Sequence, residues 1–128
     1  TLAGGNGEIS WSASSYTGVS NTNTADASSC TRGVGNQTNT LTTVADNCWH
    51  VVHAVNLAVV IAAGTGAKER ANAAGNGVFD NNAAITPAGS NSMTITAASG
   101  TLTVSGLSIA PAVAVAVSAS TLLLMKVG

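Results

Sequence analysis

Charge is scarce in this sequence by the standard of an ordinary soluble domain. Only 7% of its 128 residues are Asp, Glu, Lys or Arg, where about 25% is usual for a soluble domain. With a formal net charge of −1, no basic patch is there to neutralise phosphates, so neither a nucleic-acid partner nor a genome-packaging coat is expected. The one local cluster, Lys68-Glu69-Arg70, nearly cancels itself. Aromatic residues are also scarce, at 3%. Trp11, Tyr16 and Trp49 are too scattered for a stacking platform and read as core or interface anchors.

Recognisable chemistry is also missing. No Gly-rich phosphate loop follows a strand, no paired carboxylates form a local motif, and none of the many serines sits in a nucleophile elbow. No catalytic residue, cofactor or small-molecule substrate is therefore expected, and the chain does not read as an enzyme. Cys48, His50 and His53, with Asp46 nearby, are three possible zinc ligands without a clear fourth, so no metal site is assigned. The histidines read as interfacial or surface polar groups. Asp80-Asn81-Asn82 reads as a turn and lacks the ligand spacing of a calcium loop.

What the chain does have is small apolar side chains. Hydrophobic residues make up 45%, mostly Ala and Val. Each buried Ala removes little surface from water, so an isolated fold is modestly stabilised. A nearly neutral chain also has little self-repulsion to keep copies apart. Both facts favour burial between subunits, with interfaces of the size found in obligate assemblies. Cys30 and Cys48 are the only cysteines. Paired, they close a polar loop, a bridge that chain-entropy models value at roughly 3 kcal/mol. An extracellular composition favours that disulfide. Asn36-Gln37-Thr38 fits the N-glycosylation acceptor pattern.

Along the chain, residues 1–47 are dominated by Ser, Thr, Asn and Gly, with one contrast. In "GEISWSASSY", Ile9, Trp11 and Ala13 alternate with Glu8, Ser10, Ser12 and Ser14, the period of a strand with one apolar face. "TLTTV" at 40–44 is a second short strand. From Asp46 the pattern changes: Val51, Val52, Val55, Ala58, Val59 and Ala62 fall at helical spacings, with Asp46 or Asn47 as N-cap and Gly75 as terminator. This predicts one helical segment, with a buried strand through "HVVHAVNLAVVIAA" as the competing reading. "MTITAASGTLTV" predicts a hairpin turning at Ser99-Gly100, with Met93, Ile95 and Ala97 on one face and Leu102 and Val104 on the partner's. The tail from Leu107 to Gly128 is long enough and apolar enough for a membrane helix. Pro111 and the Ala/Val alternation at Val113, Val115 and Val117 point to a strand instead.

The whole-chain composition resembles that of subunits of extracellular, pilus-like filaments of archaea and bacteria. The closer analogy is to subunits that join by donor-strand complementation, in which a terminal extension fills a strand vacancy in the neighbour. That resemblance implies an extracellular or cell-surface homopolymer of identical subunits, with no membrane anchorage after assembly. The expected fold is mainly β with one helical segment (α+β), an antiparallel sandwich-like single domain over 1–128. Residues 1–15 would be the donor extension and 16–128 the body. The expected interface residues are Ile9, Trp11 and Ala13 on the donor, and Met93, Ile95, Leu102, Val104, Val113, Val115 and Val117 on the acceptor. The alternatives are an α-helical hairpin pilin for the fold, and a viral coat or tail-tube protein or a carbohydrate-binding adhesin for the function.

Overall fold

β-Branched residues favour extended backbone, and the body of this chain is built on it. The computed structural model describes residues 13–20, 25–73 and 75–112. It has strands β1 (Ala25–Val34), β2 (Gln37–Thr42), β3 (Trp49–Asn56), β4 (Ile61–Ala63), β5 (Lys68–Ala73), β6 (Asn76–Asp80), β7 (Ser90–Ala97) and β8 (Thr101–Ile109). Two antiparallel sheets result, a five-stranded sheet in the order β1-β8-β3-β6-β5 and a three-stranded sheet in the order β2-β7-β4.

Their inner faces meet in a core of Val52, Ala54, Ile61, Phe79, Met93, Ile95, Ala97, Leu102 and Val104. The alternation read from the sequence is present: along β7 the buried residues are Met93, Ile95 and Ala97, and along β8 they are Leu102, Val104, Gly106 and Ser108. One end of the core is polar. His50 is fully buried there, with Nδ1 at 2.9 Å from Asn91 Oδ1 and Nε2 at 3.0 Å from Asn39 Oδ1. Asn39 in turn donates to the Val104 carbonyl. Gly106 leaves room for this network, since a Cβ on it would lie 2.9 Å from His50 Nε2 and closer still to Asn39 Oδ1.

The order in which the chain alternates between sheets is that of a jelly roll, where strands 1, 8, 3 and 6 face strands 2, 7, 4 and 5. It departs at one strand. β5, which belongs beside β4 in that order, pairs with β6 instead. Among the described residues the small sheet therefore ends at β4.

Three expectations are corrected. The helical segment does not form: residues 46–73 hold β3, β4, β5 and the turns between them. β3 lies mid-sheet between β8 and β6; one face packs Val52 and Ala54 into the core, and Tyr16 packs against Trp49 on the other. That burial of Val51, Val52 and Ala54 mimics helical spacing. The turn at Ser99-Gly100 exists, with Gly100 at φ 75°, but it is not a hairpin turn. β7 pairs with β2 and β4 while β8 pairs with β1 and β3, so the chain arches from one sheet to the other. Finally, Met93, Ile95, Leu102 and Val104 are each 0% exposed inside their own subunit. Their apolar faces close on one another across the sandwich, and no neighbour is needed to cover them. Of the tail, Leu107–Ile109 complete β8; its residues beyond Ala112, with Val113, Val115 and Val117, lie outside the described residues, as do Ile9 and Trp11.

Candidate assembly surfaces

The two ends of the sandwich differ in kind. At one end, both termini of the body are strapped together. Val19 bridges Pro111, the Ser20 amide donates to the Ala110 carbonyl at 3.0 Å, and the Ala112 amide to the Gly18 carbonyl at 2.7 Å. Residues 14–16 then run over the outer face of the large sheet. Tyr16 packs against Trp49 with ring centroids 6.3 Å apart, and its hydroxyl donates to Asp80 Oδ2 at 3.1 Å. Cavities of about 300 and 330 Å³ open on either side of Tyr16.

Asp80 anchors this strap. Only 1% exposed, it accepts from Arg70 Nε at 2.6 Å and Nη2 at 2.9 Å, and from the Asn82 amide at 2.8 Å. Burial by itself raises its pKa. The Arg70 bonds outweigh that, with help from Asn82 and Tyr16, and hold the carboxyl below its ordinary value. The sign follows: the ionised form stabilises the fold above the unfolded pKa of about 3.8–3.9, and that contribution is lost as pH falls through the lower folded value. Arg70→Ala strands a buried carboxylate, whereas Asp80→Asn leaves a half-exposed guanidinium that water can solvate. Arg70→Ala is thus expected to lower the urea midpoint more than Asp80→Asn at pH 7. Its deficit relative to the parent should shrink towards pH 5, as the orphaned carboxyl takes up a proton.

The opposite end is apolar. There Asn56 staples the β3–β4 and β7–β8 connections, donating to the Ser99 carbonyl at 2.8 Å and accepting from the amides of Ala58 and Val59, while the Gly35 amide ties the β1–β2 connection to the Gly100 carbonyl at 3.1 Å. Around this staple Val34 is 78% exposed, Leu57 90% and Val60 74%. Such large exposed side chains in a chain with few of them mark a contact surface. β4 begins at this end, and among the described residues no strand pairs with its outer edge. Asn72 Nδ2 donates to the Ile61 carbonyl on that edge at 2.6 Å, while Ala62 and Ala63 stay exposed.

The solvent face of the small sheet is a field of hydroxyls. Thr38 and Thr94 bond at 2.8 Å and Thr40 and Ser92 at 2.7 Å. Thr42 stands opposite Ser90, and Thr96 opposite Ala62.

The cysteine and histidine expectations resolve separately. Cys30 and Cys48 are both free thiols, so the expected bridge is not formed. Cys48 Sγ faces Asp26 Oδ2 at 3.6 Å and Cys30 Sγ faces Ser105 Oγ at 3.6 Å. Four residues of strand separate Asp26 from Cys30, roughly 13 Å, beyond the reach of a disulfide. Burial, partly opposed by Ser108, pushes the Cys48 thiol up. On a strand, His50 and His53 point to opposite faces: His50 into the core, His53 outwards to Asn76 Oδ1 at 2.5 Å. Cys48, His50 and His53 thus do not converge, and among the described residues no group of three or more His, Cys, Asp and Glu is placed to hold a metal. Among the described residues no helix is long and apolar enough to cross a membrane. Ala13 is exposed, and Asn36 lies at the apolar end, where its Oδ1 accepts from the Ala97 amide.

Neither a protein-family model, nor a curated protein, nor a solved structure matches the chain.

Proposed function

We propose that this chain is a structural subunit of a secreted, extracellular filament whose copies join noncovalently by strand exchange. The observation that carries the reading is the outer edge of β4, at the apolar end of the body, which no strand pairs with among the described residues. The strapped termini lie at the other end. A contact between unlike ends is heterologous and, unless it closes into a ring, propagates into a filament.

Donor and edge match in character. A strand beside β4 has one edge of the core on one side and the hydroxyl face of the small sheet on the other. Ile9 and Trp11 supply an apolar side, and Glu8, Ser10 and Ser12 a polar one that continues the Ser/Thr field. Because residues 14–16 pack on their own sheet, the exchangeable strand is shorter than the 1–15 extension read from the sequence and ends near Ser12. Twelve extended residues reach about 40 Å. One body is roughly 30 Å long, judged from the nine-residue β8. Backbone hydrogen bonds to β4 supply affinity, and alternate side chains supply register. A second reading, a shell-forming coat subunit, draws on the jelly-roll strand order alone.

Removing residues 1–12 tests the proposal. The expected product is folded, monomeric and unable to form the filaments that the full chain forms under electron microscopy. Filaments of normal appearance from the truncated chain would dismiss the N-terminal donor, and closed shells from the full chain would favour the coat reading.

A further inference from the structure

We propose that Asn36 carries an N-linked oligosaccharide on its Nδ2; the proposal rests on the extracellular reading above. The acceptor pattern Asn36-Gln37-Thr38 falls at the corner where the chain passes from the large sheet to the small one, just after Gly35 at φ 75°. Asn36 is exposed there. Its amide has a defined orientation: the Ala97 backbone N–H donates to it at 3.0 Å, and an N–H faces only an acceptor, so Oδ1 points inward. Nδ2, the atom that takes the sugar, is left on the side away from that bond. Thr38 is also exposed, with its hydroxyl paired to Thr94 at 2.8 Å.

The surroundings suit a sugar. Asn36 borders an open, uncharged cavity of about 260 Å³ whose walls include Val60, Ala62 and Ala98. A first sugar ring there lies against Val60, Ala62 and Ala98. It also gives a chain with little charge the solubility that charge usually provides. The donor is a polyprenyl-phosphate- or pyrophosphate-linked oligosaccharide. The new bond joins sugar C1 to Asn36 Nδ2. The C1–O bond to the carrier breaks, the carrier phosphate keeps the electron pair, and the amide nitrogen gives up one proton.

The test is the intact mass, with peptide mapping, of the chain purified from the surface of cells that make it. The expected result is a mass above that of the sequence by whole sugar residues, located on the peptide that holds Asn36. Asn36→Asp keeps the oxygen that Ala97 bonds, so the fold is retained while the excess mass disappears. Thr38→Val removes the excess too, and Thr38→Ser keeps it. A native mass equal to that of the sequence, or an excess that survives both Asn36→Asp and Thr38→Val, overturns the proposal. Sugar-free filaments would count against the glycan alone. A surface-exported, glycosylated chain that never assembles would count against the filament alone.

Discussion

Phe79→Ala is expected to cost about 3–5 kcal/mol, the range for removing a buried aromatic ring. Phe79 is 0% exposed and is the only phenylalanine in the chain. It stands opposite Val52 on β3, and its ring lies over Gly77, where an added Cβ would come within 2.8 Å of Cε2. The other core side chains are Ala, Val, Ile, Leu and Met, each held by a strand in one of two sheets. Their strands limit how far these side chains can relax into the space a phenyl ring leaves, so a residual cavity adds its penalty to the lost burial. Total stabilities of about 5–15 kcal/mol are usual, so this one change removes about a fifth or more. At slopes of about 1–3 kcal/mol/M the urea midpoint falls by roughly 1 M or more with the slope unchanged. Phe79→Leu, which keeps much of the apolar volume, should lose markedly less. A Phe79→Ala midpoint equal to the parent's would mean that the sheets close without this ring.

Faces were legible in this sequence, and partners were not. The period of two at Met93-Ile95-Ala97 and Leu102-Val104 predicts the buried sides of β7 and β8 correctly, because alternation is a property of one strand. Whether such a face meets its own chain or a neighbour is a property of the fold. The same residues assigned to a subunit interface therefore turn out to form the core. The arch at Gly100 reads as a hairpin turn for the same reason: a left-handed glycine marks a reversal but does not say which sheet the chain enters next. At β3, burial on both faces overrides the alternation, and Val-rich runs of that kind do not distinguish strand from helix by period. The outer edge of β4 was not legible at all. It arises from where β5 pairs, and its three residues Ile-Ala-Ala carry no signal. Asn39 was missed because a polar residue in a Thr-rich strand reads as surface. The Leu41 that follows two residues later on the same buried side was the available hint.

His50 is the other residue whose role depends on what packs around it, and it makes the fold sensitive to acid. Burial lowers its pKa, with the Asn91 bond partly opposing, so the folded ring is neutral at pH 7 and holds one proton. Asn39 decides where. Its Nδ2 donates to the Val104 carbonyl at 3.2 Å, and its Oδ1 already accepts from Ser29 Oγ at 2.7 Å. Oδ1 can thus only accept from His50, which places the proton on Nε2. The bare Nδ1 is satisfied when Asn91 turns its amide nitrogen towards it. Protonation would put a charge between the sheets with only amide oxygens to receive it. The unfolded chain takes up that proton below pH about 6.5, and the fold resists it. Stability is therefore full above about pH 6.5 and falls as pH drops from there, by at most about 1.4 kcal/mol per pH unit for one proton, until the folded pKa is reached. This window lies above the one in which Asp80 is protonated, so the two losses separate along a pH series of urea midpoints. His50→Gln removes the titrating group while keeping a polar side chain. It is expected to lower stability at pH 7, because no amide reproduces both ring contacts, and to flatten the stability profile between pH 6.5 and 5. A parent profile already flat over that interval would mean that the ring titrates alike in the folded and unfolded chains. The polar end of the core would then have no part in acid stability.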